Sequence, residues 1–433
     1  MENSVPSLRF LLGRICWVFI LAVCIAMAYK LQIAETNAYM GYVSFPIDFE
    51  YLFSVAVALV FSGLLMPLVI YRPSDFFGLI YVIFVLLPYM VLYPIRGHVA
   101  LEDFFLYFFV LSLPVMIVRL VSALTPRVGM LKFIDSRTVV GLLFLLCIFG
   151  LIYALANPPG SAGFDLASAY DRRLEGREIF TVGSVAAYLN SAIVNGFAPF
   201  LAFVAGWRKR SWLLMFAMAC GIGYFYLLGL KAPLLFIVLA YIIGYAARFE
   251  KIYMAGKIVC FLLVFMFLAF FVEYVFFGFS QIGDYFIRRA FGVSSYIVSA
   301  YFEFMNVDIF YSWSMLDGVE SVEPITFLVG EWFLGAPGLN ANTNTFVHQL
   351  AAGGVVMYGG TIILVALVFS LLDAVYLSSR NPAVLYVGLS YAILLTEQAA
   401  STALVSSGIG FLILLLMFSR VEDKNMKIRL IGQ

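Results

Sequence analysis

Long apolar runs separated by short polar breaks dominate this chain. A membrane-spanning helix needs about 20 mostly apolar residues. Runs of that kind cover residues 10–29, 51–71, 76–94, 104–124, 138–156, 183–206, 211–229, 232–248, 255–276, 353–376, 383–398 and 403–419, which predicts about twelve spanning helices. Gly229, Lys231 and Pro233 divide the seventh run from the eighth, and a turn near residues 399–402 divides the last two. Two stretches break the rhythm, 157–182 and 277–352. Loops of that length usually carry function. Within the second, Phe286, Ala290, Val293, Ile297, Ala300, Tyr301 and Phe304 recur at helical spacing. This predicts amphipathic helices lying at a membrane interface or capping a bundle. No internal repeat is evident, whereas many secondary transporters carry one.

Composition agrees with the pattern. Of 433 residues, 64% are hydrophobic and 12% charged, against about 45–50% and about 25% in soluble globular proteins. Too little polar sequence is present to coat a water-soluble body. This excludes a cytosolic enzyme, a nucleic-acid-binding module and a secreted disulfide scaffold. The fold class is an all-α polytopic membrane protein, read as a single integral membrane domain over 1–433. Cys16, Cys24, Cys147, Cys220 and Cys260 all lie inside apolar runs, with no CxxC pair, and read as small core or lipid-facing residues. The first apolar run continues too far for a cleavable signal.

Charge orients the array. With the N-terminus in the cytoplasm and spans alternating, most of the 26 basic residues collect on the inner side and most of the 25 acids on the outer. The positive-inside rule therefore places both termini in the cytoplasm and both long loops outside.

The outer loops carry the candidate chemistry. The first concentrates Asp165, Asp171, Arg172, Arg173, Glu175, Arg177 and Glu178. Three arginines on the outer side run against the orientation rule. In a helix, Arg173 and Arg177 share a face and repel, unless acids such as Glu175 and Glu178 pair them or an anion lies between. A solvated, self-compensating charged turn is one reading. An anion site is the other, since the planar guanidinium grips phosphate oxygens bidentately. The second loop is acidic, with Arg288 and Arg289 as its only bases; they snorkel at the interface or serve an anion site. Lys231, in a short outer turn, is a further cation with a simple reading as a lone turn lysine.

Asn340, Asn342, Thr343, Asn344 and Thr345 form a dense amide and hydroxyl cluster just before a span, amid glycines at 335, 338, 353, 354, 359 and 360. Helix capping accounts for part of it. Asparagine also suits hydroxyl-rich ligands, with one acceptor and two donors. His348, four residues past Asn344, reads as a general base or as a satisfied structural histidine. Glu397, near the end of the eleventh run, is an acid at membrane depth and a functional candidate on that ground. No Walker loop, nucleotide fingerprint, HExxH or inner-face DxD pair is present.

These residues resemble the bacterial O-antigen polymerases (Wzy-type). About a dozen spans, two large outer loops and arginines in both carry the likeness over the whole length. Locally, Asn342–Thr343–Asn344–Thr345–Phe346 followed by Gly354 and Gly359 is similar to the polymerases' Asn-Thr segment. Arg172, ten residues and Gly183 match the spacing of their arginine motif. Arg288 and Arg289 correspond by loop and residue type only, because Ser299 and Ala300 stand where a glycine is expected. The related O-antigen ligases carry a His, a polar residue and a later Gly. His348, Gln349 and Gly359 fit that signature, while Ile362 departs from it.

The resemblance implies a GT-C-like fold of about 12 transmembrane helices with interfacial helices in two large periplasmic loops. It implies residence in the bacterial inner membrane, with the active site facing the periplasm. The substrates would be undecaprenyl-pyrophosphate-linked oligosaccharide donor and acceptor, used without metal or cofactor, with membrane lipid and a chain-length regulator protein as further partners. On this reading Arg172, Arg173, Arg177, Arg288, Arg289 and Lys231 hold the pyrophosphate. Asn342, Thr343 and Asn344 hold sugar hydroxyls. His348 takes the acceptor proton, with Glu175 or Glu397 as substitutes, and Tyr311, Trp313, Trp332 and Tyr358 stack on sugar faces. The alternatives are a ligase transferring the polysaccharide to lipid A-core and, third, a flippase for lipid-linked sugars.

Overall fold

The computed structural model describes residues 8–46, 48–97, 101–126, 132–165, 168–181, 183–306, 324–335 and 338–420. The side chain of Arg177 and the residues Tyr311 and Trp313 lie outside that description. Among the described residues, eight helices are long and apolar enough to cross a membrane: Leu8–Thr36, Pro73–Ile95, Glu102–Leu124, Ser136–Ala156, Val185–Arg208, Ser211–Leu228, Lys251–Phe277 and Thr345–Ser379. Three shorter apolar helices, Phe49–Leu65, Ala232–Arg248 and Pro382–Leu394, accompany them. The chain is thus an all-α, multi-pass membrane protein; among the described residues the one β pairing joins Ile134–Asp135 to Ser419–Arg420.

Local chemistry sets the helix ends. The Asp48 carboxylate accepts from the Tyr51 amide at 2.7 Å, and the Ser184 hydroxyl from the Ala187 amide at 3.1 Å. Each satisfies an amide that has no partner in the first turn. Pro73 and Pro233 stand where a missing N–H costs nothing.

The expected twelfth span is not continuous. Residues 403–419 fall in two short helices, Ala400–Val405 and Ile409–Met417, separated by a turn at 406–408. The eleventh, expected over 383–398, is helical over Pro382–Leu394, so Glu397 falls in the turn beyond it. The tenth is longer than expected and broken. Gly353 and Gly354 leave helical geometry inside Thr345–Ser379, Gly354 at φ 62° and ψ −160°. Only glycine holds that conformation without strain.

Two compact units make up the chain. The first comprises Met1–Leu124, Tyr253–Ser370 and Ala392–Ala400; the second, Thr125–Ile252, Leu371–Tyr391 and Ser401–Gln433. In the first, Pro73–Ile95 is buried along nearly its whole apolar window, and Leu8–Ala28 packs on Phe49–Leu65 and Ala255–Phe277. Wide π-helical turns recur here, at Tyr29–Ile33, Val82–Leu86 and Gly283–Val293. The last corrects the expected amphipathic face. Bonding from i to i+5 alters the period, so Ile287 and Phe291 are buried while Phe286 is 59% exposed. Beyond residue 294 the α-helix Ser294–Asn306 buries Ala300 and Tyr301, as the spacing predicts.

In the second unit, Ala198–Arg208 and Ala232–Arg248 meet backbone to backbone. A Cβ on Gly206 would stand 2.3 Å from the Tyr241 carbonyl oxygen, and one on Gly244 would stand 2.1 Å from that of Phe203. Glycine pairs of this kind let membrane helices approach closely.

Candidate functional site

A cavity of about 270 Å³ opens within the first unit. The Val82–Leu86 turn supplies Phe84 and Val85; the Gly283–Val293 helix supplies Arg289 and Val293; Ile297 and Val298 complete the apolar side, beside Ser294, whose hydroxyl is turned to backbone carbonyls. Asn340, Asn342, Thr343 and Asn344 line the polar side together with Thr396 and Glu397. One guanidinium, one carboxyl, three amides and two threonine hydroxyls therefore converge against an aliphatic and aromatic wall. π-Helical turns are frequent at functional sites because they re-aim side chains, and two of them border this cavity.

The polar run is held rigidly. Tyr301 donates its hydroxyl to the Ala341 carbonyl at 3.0 Å, and the Ala341 amide donates to the Thr326 carbonyl at 3.0 Å. The Asn344 side-chain oxygen accepts from the Phe346 and Val347 amides at 3.2 and 3.1 Å, and from the Tyr81 hydroxyl at 3.4 Å. Asn344 is thus the N-cap of the helix it precedes. The Thr345 amide donates to the Leu395 carbonyl at 2.9 Å, and its hydroxyl accepts from the Ala400 amide at 2.8 Å. Those two bonds fix the turn that carries Thr396 and Glu397.

Capping does not use the whole cluster. The Asn344 Nδ2 and Thr343 Oγ1 atoms are buried without a hydrogen-bond partner among the described residues, in side chains 1% and 4% exposed. The two roles of Asn344 are separable. Asn344→Ala is expected to lower stability by about 1–2 kcal/mol through the lost cap. Asn344→Asp retains the cap oxygen and removes only the Nδ2 donor. Thermal unfolding in detergent checks this; equal midpoints for the alanine variant and the parent would contradict the capping role.

Glu397 keeps accessible surface at the cavity, while the surrounding protein desolvates its carboxyl and raises its pKa. Arg288 points elsewhere than Arg289: its Nε donates to Asp284 at 2.7 Å. His348 lies one turn into the helix after Asn344, with a buried Nδ1 that has no partner among the described residues, and does not line the cavity.

The first outer loop forms the helix Ala169–Ile179 in the second unit. Arg172 is fully buried. Its Nη1 donates to the Ser168 hydroxyl and its Nη2 to the Asp165 carbonyl, both at 2.7 Å, and its carbon centre lies 5.8 Å from the middle of the Phe225 ring. Two of its donors hold its own loop; Nε has no hydrogen-bond partner among the described residues. Arg173 is exposed, Arg177 shares its helix, and Lys231 is exposed at the start of Ala232–Arg248. Glu175, expected as a proton acceptor, accepts from the Ser161 amide at 3.0 Å and its hydroxyl at 2.7 Å. Those bonds hold its carboxyl below the usual glutamate range, which makes it a weaker base than an ordinary glutamate.

Of the residues singled out in the sequence, Arg289, Asn340, Asn342, Thr343, Asn344 and Glu397 line this cavity and His348 does not. Arg96 was not singled out, since a lone arginine ending an apolar run carries no periodic signal. No protein-family model matches the chain, and neither a curated protein nor a solved structure is significantly similar to it.

Proposed function

We propose that this protein is a membrane glycosyltransferase that polymerises polyprenyl-pyrophosphate-linked oligosaccharide repeat units into O-antigen or a related surface polysaccharide. The reaction would take place at the periplasmic face of the bacterial inner membrane, in a GT-C-like array of about twelve spans with both termini cytoplasmic. The observation that carries the reading is the single cavity lined by Arg289, the amides of Asn340, Asn342 and Asn344, the Thr343 hydroxyl and Glu397.

The chemistry follows from the leaving group. A sugar diphosphate departs readily once its charge is neutralised and the acceptor is aligned. Arg289 offers the cationic fork for diphosphate oxygens as the anomeric C–O bond breaks. The Asn-Thr donors and acceptors suit sugar hydroxyls. Glu397 is the proton acceptor favoured by position: as the acceptor oxygen bonds to the anomeric carbon, its proton passes to the Glu397 carboxylate. In this reading Arg172 positions its loop through Ser168 and Asp165. Arg173, Arg177, Arg288 and Lys231 remain diphosphate candidates by residue type.

The O-antigen ligase is the second reading, favoured by the unpartnered Nδ1 of His348. A strain lacking the gene discriminates between them. Loss of a polymerase leaves one repeat unit on lipid A-core, and loss of a ligase leaves none attached. A wild-type polysaccharide ladder in that strain would refute both readings.

A further inference from the structure

Arg96 ends the Leu87–Ile95 helix in the first unit and is only 2% exposed. Its Nε and Nη1 are buried and bond no acceptor among the described residues. Nearby carbonyls are already engaged: that of Ile95 by the Phe45 amide at 2.8 Å, and those of Leu92 and Tyr93 by the Arg96 amide, each at 3.2 Å. The guanidinium carbon lies 4.2 Å from the centre of the Tyr296 ring. Stacking on a ring face satisfies part of the charge and none of the in-plane N–H groups. Glu303, a carboxylate near the same tyrosines, bonds neither Nε nor Nη1, and a buried cation with unused donors is costly, whereas an anion on the guanidinium fork makes strong charge-assisted bonds.

A second cation lies beside the same rings: a Cβ on Gly292 would stand 3.6 Å from both the Arg288 Cγ and the Tyr42 Cε1. Tyr296 stacks on Tyr42 with centres 4.7 Å apart. Burial pushes the Tyr42 hydroxyl well above its usual range, and Arg288 and Arg96 both pull it back down. Asp284 takes the Arg288 Nε at 2.7 Å. Neighbours in sequence, Arg288 and Arg289 thus serve different places: Arg289 lines the cavity, and Arg288, with its Nε on Asp284, runs beside Tyr42.

We propose that Arg96 and Arg288, over the Tyr42–Tyr296 stack, form a second anion site that takes a diphosphate headgroup, separate from the one at Arg289. Assigning that diphosphate to a lipid-linked saccharide rests on the polymerase reading; the anion site itself does not. Joining two lipid-linked saccharides releases one diphosphate and retains the other on the acceptor lipid. An enzyme that holds both substrates at once has use for two such grips.

The test is the number of diphosphates bound by the full chain in phosphatidylcholine nanodiscs, read by native mass spectrometry. The probes are geranylgeranyl diphosphate and, separately, inorganic pyrophosphate. The wild type is expected to bind two equivalents. Arg96→Gln and Arg288→Gln each weaken one of them at least about tenfold, as expected for losing a charge-assisted fork, and Arg289→Gln weakens the other. Binding of both probes means that the headgroup suffices; binding of the lipid form alone means that the chain contributes, and either supports the site. Should Arg96→Gln fail to fold, the half-buried Arg288→Gln gives the same readout. One equivalent in the wild type, or two unweakened equivalents in a folded Arg96→Gln or Arg288→Gln protein, overturns the proposal. Two equivalents bound without any saccharide extension would overturn the polymerase reading and leave this site standing.

Discussion

Glu397→Gln is expected to slow saccharide extension by about 10²–10⁴-fold, the usual worth of a positioned general base, while the protein stays folded. The amide keeps the size of the side chain in the Thr396–Gln398 turn, whose backbone is fixed by Thr345 through Leu395 and Ala400. On the proposed reading, what is lost is the group that takes the acceptor proton. A pH profile adds an independent readout. The protein packed around Glu397 desolvates its carboxyl and raises its pKa, and a base acts only when deprotonated. The acid limb of the rate should therefore lie above the ordinary carboxylate range, with activity lost as the pH falls through it. Linkage has the opposite sense for stability: a raised folded-state pKa favours folding at low pH, and this contribution is lost as the pH rises through it. Glu397→Gln removes both dependences. An extension rate within a few-fold of wild type, with the acid limb intact, would move the proton acceptor to His348.

The largest expected effect on stability lies in the second unit. Gly244→Val should cost about 3 kcal/mol or more, the upper range for overpacking a filled interface, and should sharply lower the amount of protein recovered from membranes. A Cβ there would stand 2.1 Å from a backbone carbonyl oxygen, which no rotamer change relieves. The helices Ala198–Arg208 and Ala232–Arg248 would have to separate, forfeiting the close packing that associates helices in lipid. Gly141→Val is the control, since a Cβ at Gly141 meets nothing within 4 Å. Equal thermal midpoints for the two variants would contradict the backbone-to-backbone contact.

Much of the fold was legible because lipid imposes one rule on the sequence: a segment that crosses must be apolar and must satisfy its own backbone. Eleven of the twelve expected runs are each occupied by a single apolar helical segment, and the twelfth by two short ones. The break in the twelfth run and the π-helical Gly283–Val293 were not legible. Both depend on whether an amide selects the carbonyl four or five residues before it, a choice made by packing rather than composition. Phe286 shows the consequence: its spacing fits a buried α-helical face, and the wider turn leaves it exposed.

The candidate site divides in the same way. The Asn342–Thr345 cluster was visible as an excess of polar groups beside a span, and Asn344 turned out to be both a cap and a cavity residue. Its pairing with Glu397, more than fifty residues away in sequence, depends on the Thr345 bonds to Leu395 and Ala400, which nothing local announces. Arg172 looked like a free cation because its partners Ser168, Asp165 and Phe225 act only once the loop is folded. Charge counted along a chain does not distinguish a guanidinium that grips a ligand from one that grips its own backbone.

The central claim is that the cavity beside Arg289 binds a sugar diphosphate and couples it to a second saccharide. Its most direct test is incubation of the purified protein in nanodiscs with a defined polyprenyl-diphosphate-linked repeat unit, with the products resolved by size. A ladder of whole repeat multiples, absent in Arg289→Ala, is the expected result. An intact ladder from Arg289→Ala, or none from the folded wild type, would contradict the account.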